Sequence, residues 1–163
     1  IIPYLFYFVY LWIFPLLLLK KAERFVIPYT MAMIANGLLT GALNLLIPTH
    51  APRVPLPNHD LFSNLLRWYY SLARLFTSFP SLHTSQSICL AFFLSKAFPK
   101  FKLLHIFIAF MISISTLLVK QHYSPDVIAG TVIALVFSWY FDKLWQRKLE
   151  KSAPVLSSID SVI

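Results

Sequence analysis

Charge is scarce in this chain: only 12% of its 163 residues are Asp, Glu, Lys or Arg, whereas 58% are hydrophobic and the mean hydropathy is +0.70. Such a composition excludes an ordinary soluble domain, because lipid rather than a self-made core must solvate the chain. Cysteine is nearly missing. The single one, Cys89, lies inside an apolar run, so no intrachain disulfide can form, the redox compartment is not legible, and a small buried hydrophobe is the expected role. Acidic residues number 6 against 14 basic ones, giving a net charge of +8. The basic residues cluster beside apolar runs, as membrane anchors do, which argues against nucleic acid as a partner. The first apolar run lacks a basic start and a small-residue cleavage site, and other runs follow it, so it is read as a helix and not as a signal peptide. The sequence does not begin with Met, and an upstream segment carrying a further span is compatible with that.

What is present is a series of five apolar runs: Pro3 to Leu19, Phe25 to Ile47, Pro80 to Phe98, Leu103 to Val119 and Pro125 to Phe141. Several approach the ~20 residues a bilayer requires. The expected fold is an all-α membrane protein, a bundle of five transmembrane helices, six with a missing N-terminal span. The third run is short and opens with Thr84, Ser85, Gln86 and Ser87, which assigns that end to a polar cavity within the bundle. In the second run Asn36 and Asn44 are expected to hydrogen-bond between helices, and Gly37 and Gly41, one turn apart, to form a small-residue packing face. No internal repeat is visible. Residues 1–151 form the membrane domain, and the small, polar, aperiodic stretch 152–163 reads as a flexible tail.

One long connection separates the second and third runs. Its opening prolines, Pro48, Pro52, Pro55 and Pro57, forbid helix and favour extended chain. From Leu61 to Ser78, polar Ser63, Arg67, Tyr70, Ser71, Arg74 and Ser78 recur at three- and four-residue steps among apolar residues, the pattern of an amphipathic interfacial helix. Arg67 and Arg74 share a face there, so both guanidinium groups can reach one anion. The bland alternative is that both snorkel to lipid head groups.

Topology follows from the basic residues. If every run crosses the membrane, ten of them (Lys20, Lys21, Arg24, Lys96, Lys100, Lys102, Lys143, Arg147, Lys148, Lys151) fall on one side and four (Arg53, Arg67, Arg74, Lys120) on the other. The richer side is cytoplasmic by the positive-inside rule. Two histidine strings, Pro80-Ser81-Leu82-His83-Thr84 and His122-Tyr123-Ser124-Pro125-Asp126-Val127, then share the outer face. Ser124 followed by Pro125 reads as an N-cap with proline at the first helical position, which puts His122 just before a helix and Asp126 in its first turn. Pro80 likewise starts the third span, with Ser81 and His83 in its first turn. Two helix N-termini aimed at one pocket favour phosphate. A histidine oriented by a carboxylate keeps its other ring nitrogen free as a nucleophile, and a second histidine can protonate a departing oxygen.

These residues resemble the type-2 phosphatidic acid phosphatase superfamily of membrane lipid phosphatases and phosphotransferases. Its second motif, Pro-Ser-Gly-His, is similar to Pro80 to His83. Its third, Ser-Arg, five residues, His, three residues, Asp, is similar to Ser115, Thr116, His122 and Asp126, with the spacing kept. The resemblance implies a six-helix membrane fold, no metal and no cofactor, His122 as the nucleophile that becomes phosphohistidine, Asp126 as its orienter, His83 as the acid and Ser81 as a phosphate contact. Three positions depart from the pattern. Leu82 replaces the glycine, as in inositol phosphorylceramide synthases. Thr116 replaces an arginine, a charge that Lys120 is placed to restore. Arg67 and Arg74 are only a loose counterpart of the first motif, lacking its proline. The string from His122 to Val127 also resembles the His-Tyr-x-x-Asp-Val of sphingomyelin synthases, which brings transfer in beside hydrolysis.

Simpler roles fit the remaining polar residues. His50, His59 and His105 read as boundary residues, and Tyr4, Tyr10, Trp68, Trp139 and Trp145 as interfacial belt anchors. A metal site of His83, His122 and Asp126 matches no standard ligand spacing. A proton- or ion-coupled transporter would carry ionisable residues in mid-span, whereas here Lys96, Asp126 and Asp142 sit at run ends. A catalytically dead lipid-binding scaffold is compatible with the degenerate motifs. The expectation is therefore a multi-pass membrane enzyme hydrolysing a phospholipid, isoprenoid or sphingolipid phosphate at the non-cytoplasmic face. Its rivals are a lipid head-group phosphotransferase and the inactive scaffold.

Overall fold

Proline punctuation cuts the first apolar run in two. Helix α1, Ile2–Ile13, ends just before Pro15, and α2, Pro15–Lys21, continues beyond it; a proline ring cannot sit inside a helix without losing a hydrogen bond and crowding the preceding turn. The computed structural model describes residues 1–50, 55–56, 60–72 and 76–160. A 3-10 turn at Glu23–Phe25 leads into α3, Val26–Leu46. Then come strand β1, Pro48–His50, helix α4, Leu61–Leu72, strand β2, Phe76–Ser78, and helices α5, Leu82–Ala97, α6, Lys102–Leu118, and α7, Ser124–Asp160. The protein is an all-α membrane bundle carrying one short antiparallel β pair.

The amphipathic helix is shorter than its sequence pattern predicts. It is helical over Leu61–Leu72, whereas Phe76–Ser78 is a strand that pairs with Pro48–His50 in the register Pro48↔Ser78, Thr49↔Thr77, His50↔Phe76. The extended backbone expected of the proline-rich connection thus acquires a partner, and a strand's unpaired amides are satisfied. At its other end α4 is capped by Asp60, whose carboxylate accepts from the Phe62 and Ser63 amides at 2.9 and 3.0 Å and from the Ser63 hydroxyl at 2.7 Å. These bonds, the Ser63 hydroxyl foremost, hold the Asp60 carboxyl below the usual range. Leu61, Phe62, Trp68 and Leu72 point outward while Tyr70 is buried, as a helix lying along a lipid surface requires.

Among the described residues, four helical stretches are long and apolar enough to cross a membrane: Ile2–Lys21, Glu23–Leu46, Pro99–Leu118 and Ser124–Ser152. The third apolar run is different. As α5 it has 16 residues, only ~24 Å of helix, and it packs against α1, α3, α6 and α7. Those neighbours shelter its polar start: Thr84, Ser85 and Ser87 are fully buried, as are Cys89, Leu90, Phe93 and Leu94 further along. The polar opening of this run therefore faces the bundle interior, as expected. Leu45, Leu103 and Leu118 are instead widely exposed, and only hydrocarbon outside the bundle gives such residues apolar neighbours. At the end of α5 away from the histidines, Lys96 pairs with the buried Asp142, which also accepts from Gln146 at 3.0 Å. The α7 backbone stays helical to Asp160, past the Lys151 boundary drawn from the sequence.

The glycine expectation needs correcting. A Cβ at Gly37 or Gly41 would meet nothing within 4 Å, so neither forms a packing face. The close contact is at Gly130 on α7, where a Cβ would stand 2.6 Å from the Ser81 carbonyl oxygen. Asn36, expected to bridge helices, accepts from Thr40 on its own helix at 3.3 Å. Asn44, in the amide orientation its neighbours favour, does reach out of its helix and donates to the Phe79 carbonyl at 2.7 Å.

Gly130→Ala should therefore push α7 off the start of α5 and cost about 1–3 kcal/mol of stability. Gly37→Ala and Gly41→Ala should be neutral or stabilise by up to about 1 kcal/mol through better helix propensity. Thermal unfolding of the three variants in detergent checks this. A Gly130→Ala protein as stable as its parent would show that the contact has slack.

Candidate active site

The α5–α6 and α6–α7 connections are short, so α5 and α7 run in the same direction and their first turns lie at one end of the bundle. There the Ser81 amide donates to the Asp126 carbonyl at 3.0 Å. The two sequence strings are thereby clamped together, and the His83 and His122 ring centroids stand 5.9 Å apart, edge to face.

Local capping determines how each side chain is held. Ser81 is the N-cap of α5, one place before the first turn in which the sequence put it. Its hydroxyl accepts from the Thr84 amide at 3.3 Å, and its side chain is fully buried. At the start of α7 the boundary also moves by one. Ser124 is the first helical residue, while Tyr123 holds the cap position, its carbonyl accepting from the Asp126 amide at 3.0 Å. The Asp126 carboxylate reaches back to the Tyr123 amide at 2.9 Å, the acidic half of a capping box. The same oxygen stands 3.3 Å from His122 Nδ1, so one carboxylate both caps the helix and orients the imidazole. His122 and Asp126 are buried, at 8% and 4% exposure, which strengthens an electrostatic link that water would screen.

Lys120 has φ 55, the left-handed region. Its amide bonds to Leu117 O at 3.1 Å and that of Gln121 to Thr116 O at 3.0 Å, the double closure of a Schellman turn with lysine where glycine is usual. The turn also delivers the His122 amide to Thr116 O at 3.2 Å. Thr116 is fully buried with its hydroxyl on Ser113 O at 2.7 Å, so the position that holds arginine in the resembled motif here serves the end of α6. The ammonium of Lys120 is exposed. Arg67 donates to Asn64 Oδ1 at 2.5 Å and to the Leu56 carbonyl at 2.7 Å. Arg74 and His59 lie outside the described residues, as does the side chain of His50.

Sequence reasoning missed the aromatic wall. Tyr4 and Tyr10, expected as belt anchors, are 1% and 0% exposed. Tyr4 Oη lies 3.0 Å from His83 Nε2 and 2.6 Å from the Tyr69 hydroxyl. Tyr7 packs its ring 4.6 Å from that of His83 and gives its hydroxyl to Gln86. The spacing Tyr4, Tyr7, Tyr10 along α1 was the available signal, a three-residue step that marks one helix face. Trp68 and Trp139 are exposed, as belt residues would be, and His105 is buried near Phe14. Tyr70 donates to the Val119 carbonyl at 3.0 Å, tying α4 to the end of α6 beside the site. A separate cavity of about 640 Å³ between α5, α6 and α7, lined by Ile88, Phe92, Ile106, Phe110 and Leu135, contains neither histidine.

Two imidazoles thus meet at the starts of two helices inside an apolar membrane bundle. The PAP2 superfamily pattern matches residues 25–150, and the chain belongs to that superfamily. No curated protein and no solved structure matches the chain. Membership supports a phosphatase-type activity on lipid phosphate.

The left-handed turn yields a test of its own. Lys120→Gly should raise stability by roughly 1 kcal/mol, because only glycine adopts this φ without strain. Lys120→Met keeps the Cβ and should leave the melting temperature unchanged. Equal melting temperatures for both variants would mean that the turn carries no strain.

Proposed function

We propose that this protein is a lipid phosphate phosphohydrolase that works through a phosphohistidine on His122 at the outer or lumenal membrane face. The carrying observation is the geometry of His122: Nδ1 is tied to Asp126 at 3.3 Å, with the His83 ring 5.9 Å away. That leaves His122 Nε2 for phosphorus. Its lone pair attacks, the P–N bond forms and the bond to the lipid oxygen breaks; the departing oxygen takes its electron pair and a proton from His83. Water then gives a proton to His83 and its oxygen to phosphorus, the P–N bond breaks, and inorganic phosphate leaves. Asp126 stabilises the imidazolium character that His122 gains during attack.

Phosphate ligation is proposed for Ser81, Lys120, Arg67 and Arg74, together with the free amides of the two helix starts. Ser81 accepts from Thr84 with its oxygen and so keeps its own hydrogen to donate. Lys120 is two residues from His122 on a defined turn and supplies the positive charge that Thr116 does not. The string from His122 to Val127 favours a second reading, transfer of a phosphoryl-bearing head group to an alcohol. Incubation with a lipid phosphate, with and without an alcohol acceptor, separates the two by product.

Purified protein should release phosphate from lipid phosphates. His122→Ala should lose roughly three orders of magnitude or more, as loss of a nucleophile does. Asp126→Asn, which keeps an acceptor for the Tyr123 amide, should fold normally and lose on the order of 10²-fold. Full activity in His122→Ala would end the mechanism. Lys120→Met should lower kcat/KM by about 30-fold or more if its charge meets the transition state. Unchanged kinetics would remove Lys120 from the site.

The outward face is proposed from the basic asymmetry. With Cys89→Ser as background, Lys100→Cys and Asn58→Cys should react with an impermeant thiol reagent from opposite sides of intact cells, position 58 from outside. Labelling of both from one side contradicts the orientation.

A further inference from the structure

The helix that shapes the histidine pair most closely lies outside the superfamily match, which begins at residue 25. Tyr4 on α1 is buried with its hydroxyl 3.0 Å from His83 Nε2, and behind it stands the Tyr69 hydroxyl of α4 at 2.6 Å. The Tyr4 and Tyr7 rings flank the imidazole at 4.9 and 4.6 Å between centroids, so the ring cannot turn over without displacing both. His83 Nδ1 is buried and has no hydrogen-bond partner among the described residues. A buried polar nitrogen without a partner costs about 1–3 kcal/mol, a cost that a bound oxygen removes.

We infer that Tyr4, backed by Tyr69, is a positioning residue that occupies His83 Nε2 and so makes Nδ1 the atom that gives and takes the proton of the leaving group. This deepens the proposed mechanism and rests on it for the proton step. Nδ1 must release a proton to the departing oxygen and recover one from water, so Nε2 has to keep its hydrogen throughout. The Tyr4 oxygen accepts that hydrogen, and Tyr4 in turn donates to Tyr69. A phenol suits the role because it stays neutral and accepts from Nε2 whether His83 carries one proton or two. Without it the buried ring has no reason to prefer one tautomer, and part of the population presents the wrong nitrogen.

Two measurements on Tyr4→Phe test this, and only one of them depends on catalysis. In histidine-labelled protein in detergent, nitrogen NMR should show His83 of the parent protonated at Nε2, and Tyr4→Phe should show a mixture of tautomers. A parent protonated at Nδ1, or a single unchanged tautomer in Tyr4→Phe, overturns the inference even if the phosphatase reading stands. In turnover, Tyr4→Phe should lower kcat/KM, which reads the steps up to departure of the leaving group, by about tenfold or more on an alkyl phosphate. A 4-nitrophenyl phosphate, whose leaving group departs without a proton, should be nearly unaffected. Tyr7→Phe, whose hydroxyl serves Gln86, should not discriminate between the two esters. Equal loss on both esters in Tyr4→Phe would reduce Tyr4 to a packing residue and overturn the inference. If the parent turns over neither ester, the phosphatase reading fails while the tautomer result still decides what Tyr4 does.

Discussion

Everything at the histidine end depends on how closely the start of α5 approaches α7. The approach is fixed by one backbone hydrogen bond, Ser81 amide to Asp126 carbonyl at 3.0 Å, over a glycine that leaves no room for a side chain. Ser81 caps α5 two residues before His83, and Asp126 lies in the first turn of α7, four residues after His122. Clamping these two backbones therefore fixes two imidazoles whose positions in the chain are 39 residues apart. In a bundle held by lipid, with no hydrophobic drive between helices, such close small-residue crossings and interhelical hydrogen bonds carry the association.

The clamp also explains why α5 is short and polar at its start. Two helix starts bring exposed amides and partial positive charge into one place, and bare amides inside hydrocarbon would cost several kcal/mol each. The bundle meets this by surrounding α5 with α1, α3, α6 and α7, and α4 is tied down beside the site through Tyr69 and Tyr70. His122 and Asp126 are buried there, where charge interactions are strengthened. Asp126 economises, since the carboxylate that caps α7 also orients His122.

Legibility in the sequence followed the range of the interaction. The helical membrane class, the polar opening of α5 and the meeting of the two histidine strings rest on composition, run length and parity of crossings, all of which are local or countable. Helix starts were legible to within one residue, because Ser81, Ser124 and Pro125 are all capping types and only the geometry decides which one caps. The end of α4 was hidden: Phe76–Ser78 continues a helical polar pattern but pairs with a strand 26 or more residues earlier. The glycines were misjudged for a related reason. Gly37 and Gly41 have the spacing of a packing motif but face open space, whereas Gly130 stands alone and carries the contact. Tyr4 escaped because an aromatic residue near the end of a membrane helix has an ordinary interfacial role, and only its partners on α4 and α5 reveal another.

The central claim is that phosphorus becomes bonded to the ring nitrogen of His122 that Asp126 leaves free. Rapid quenching of the protein with a radiolabelled lipid phosphate, followed by alkaline digestion and fragment mass spectrometry, measures this directly. The account predicts an acid-labile, alkali-stable phosphoryl group on His122, attached at Nε2. Phosphate carried on any other residue, or phosphate released with no covalent protein species formed at a competent rate, would contradict it.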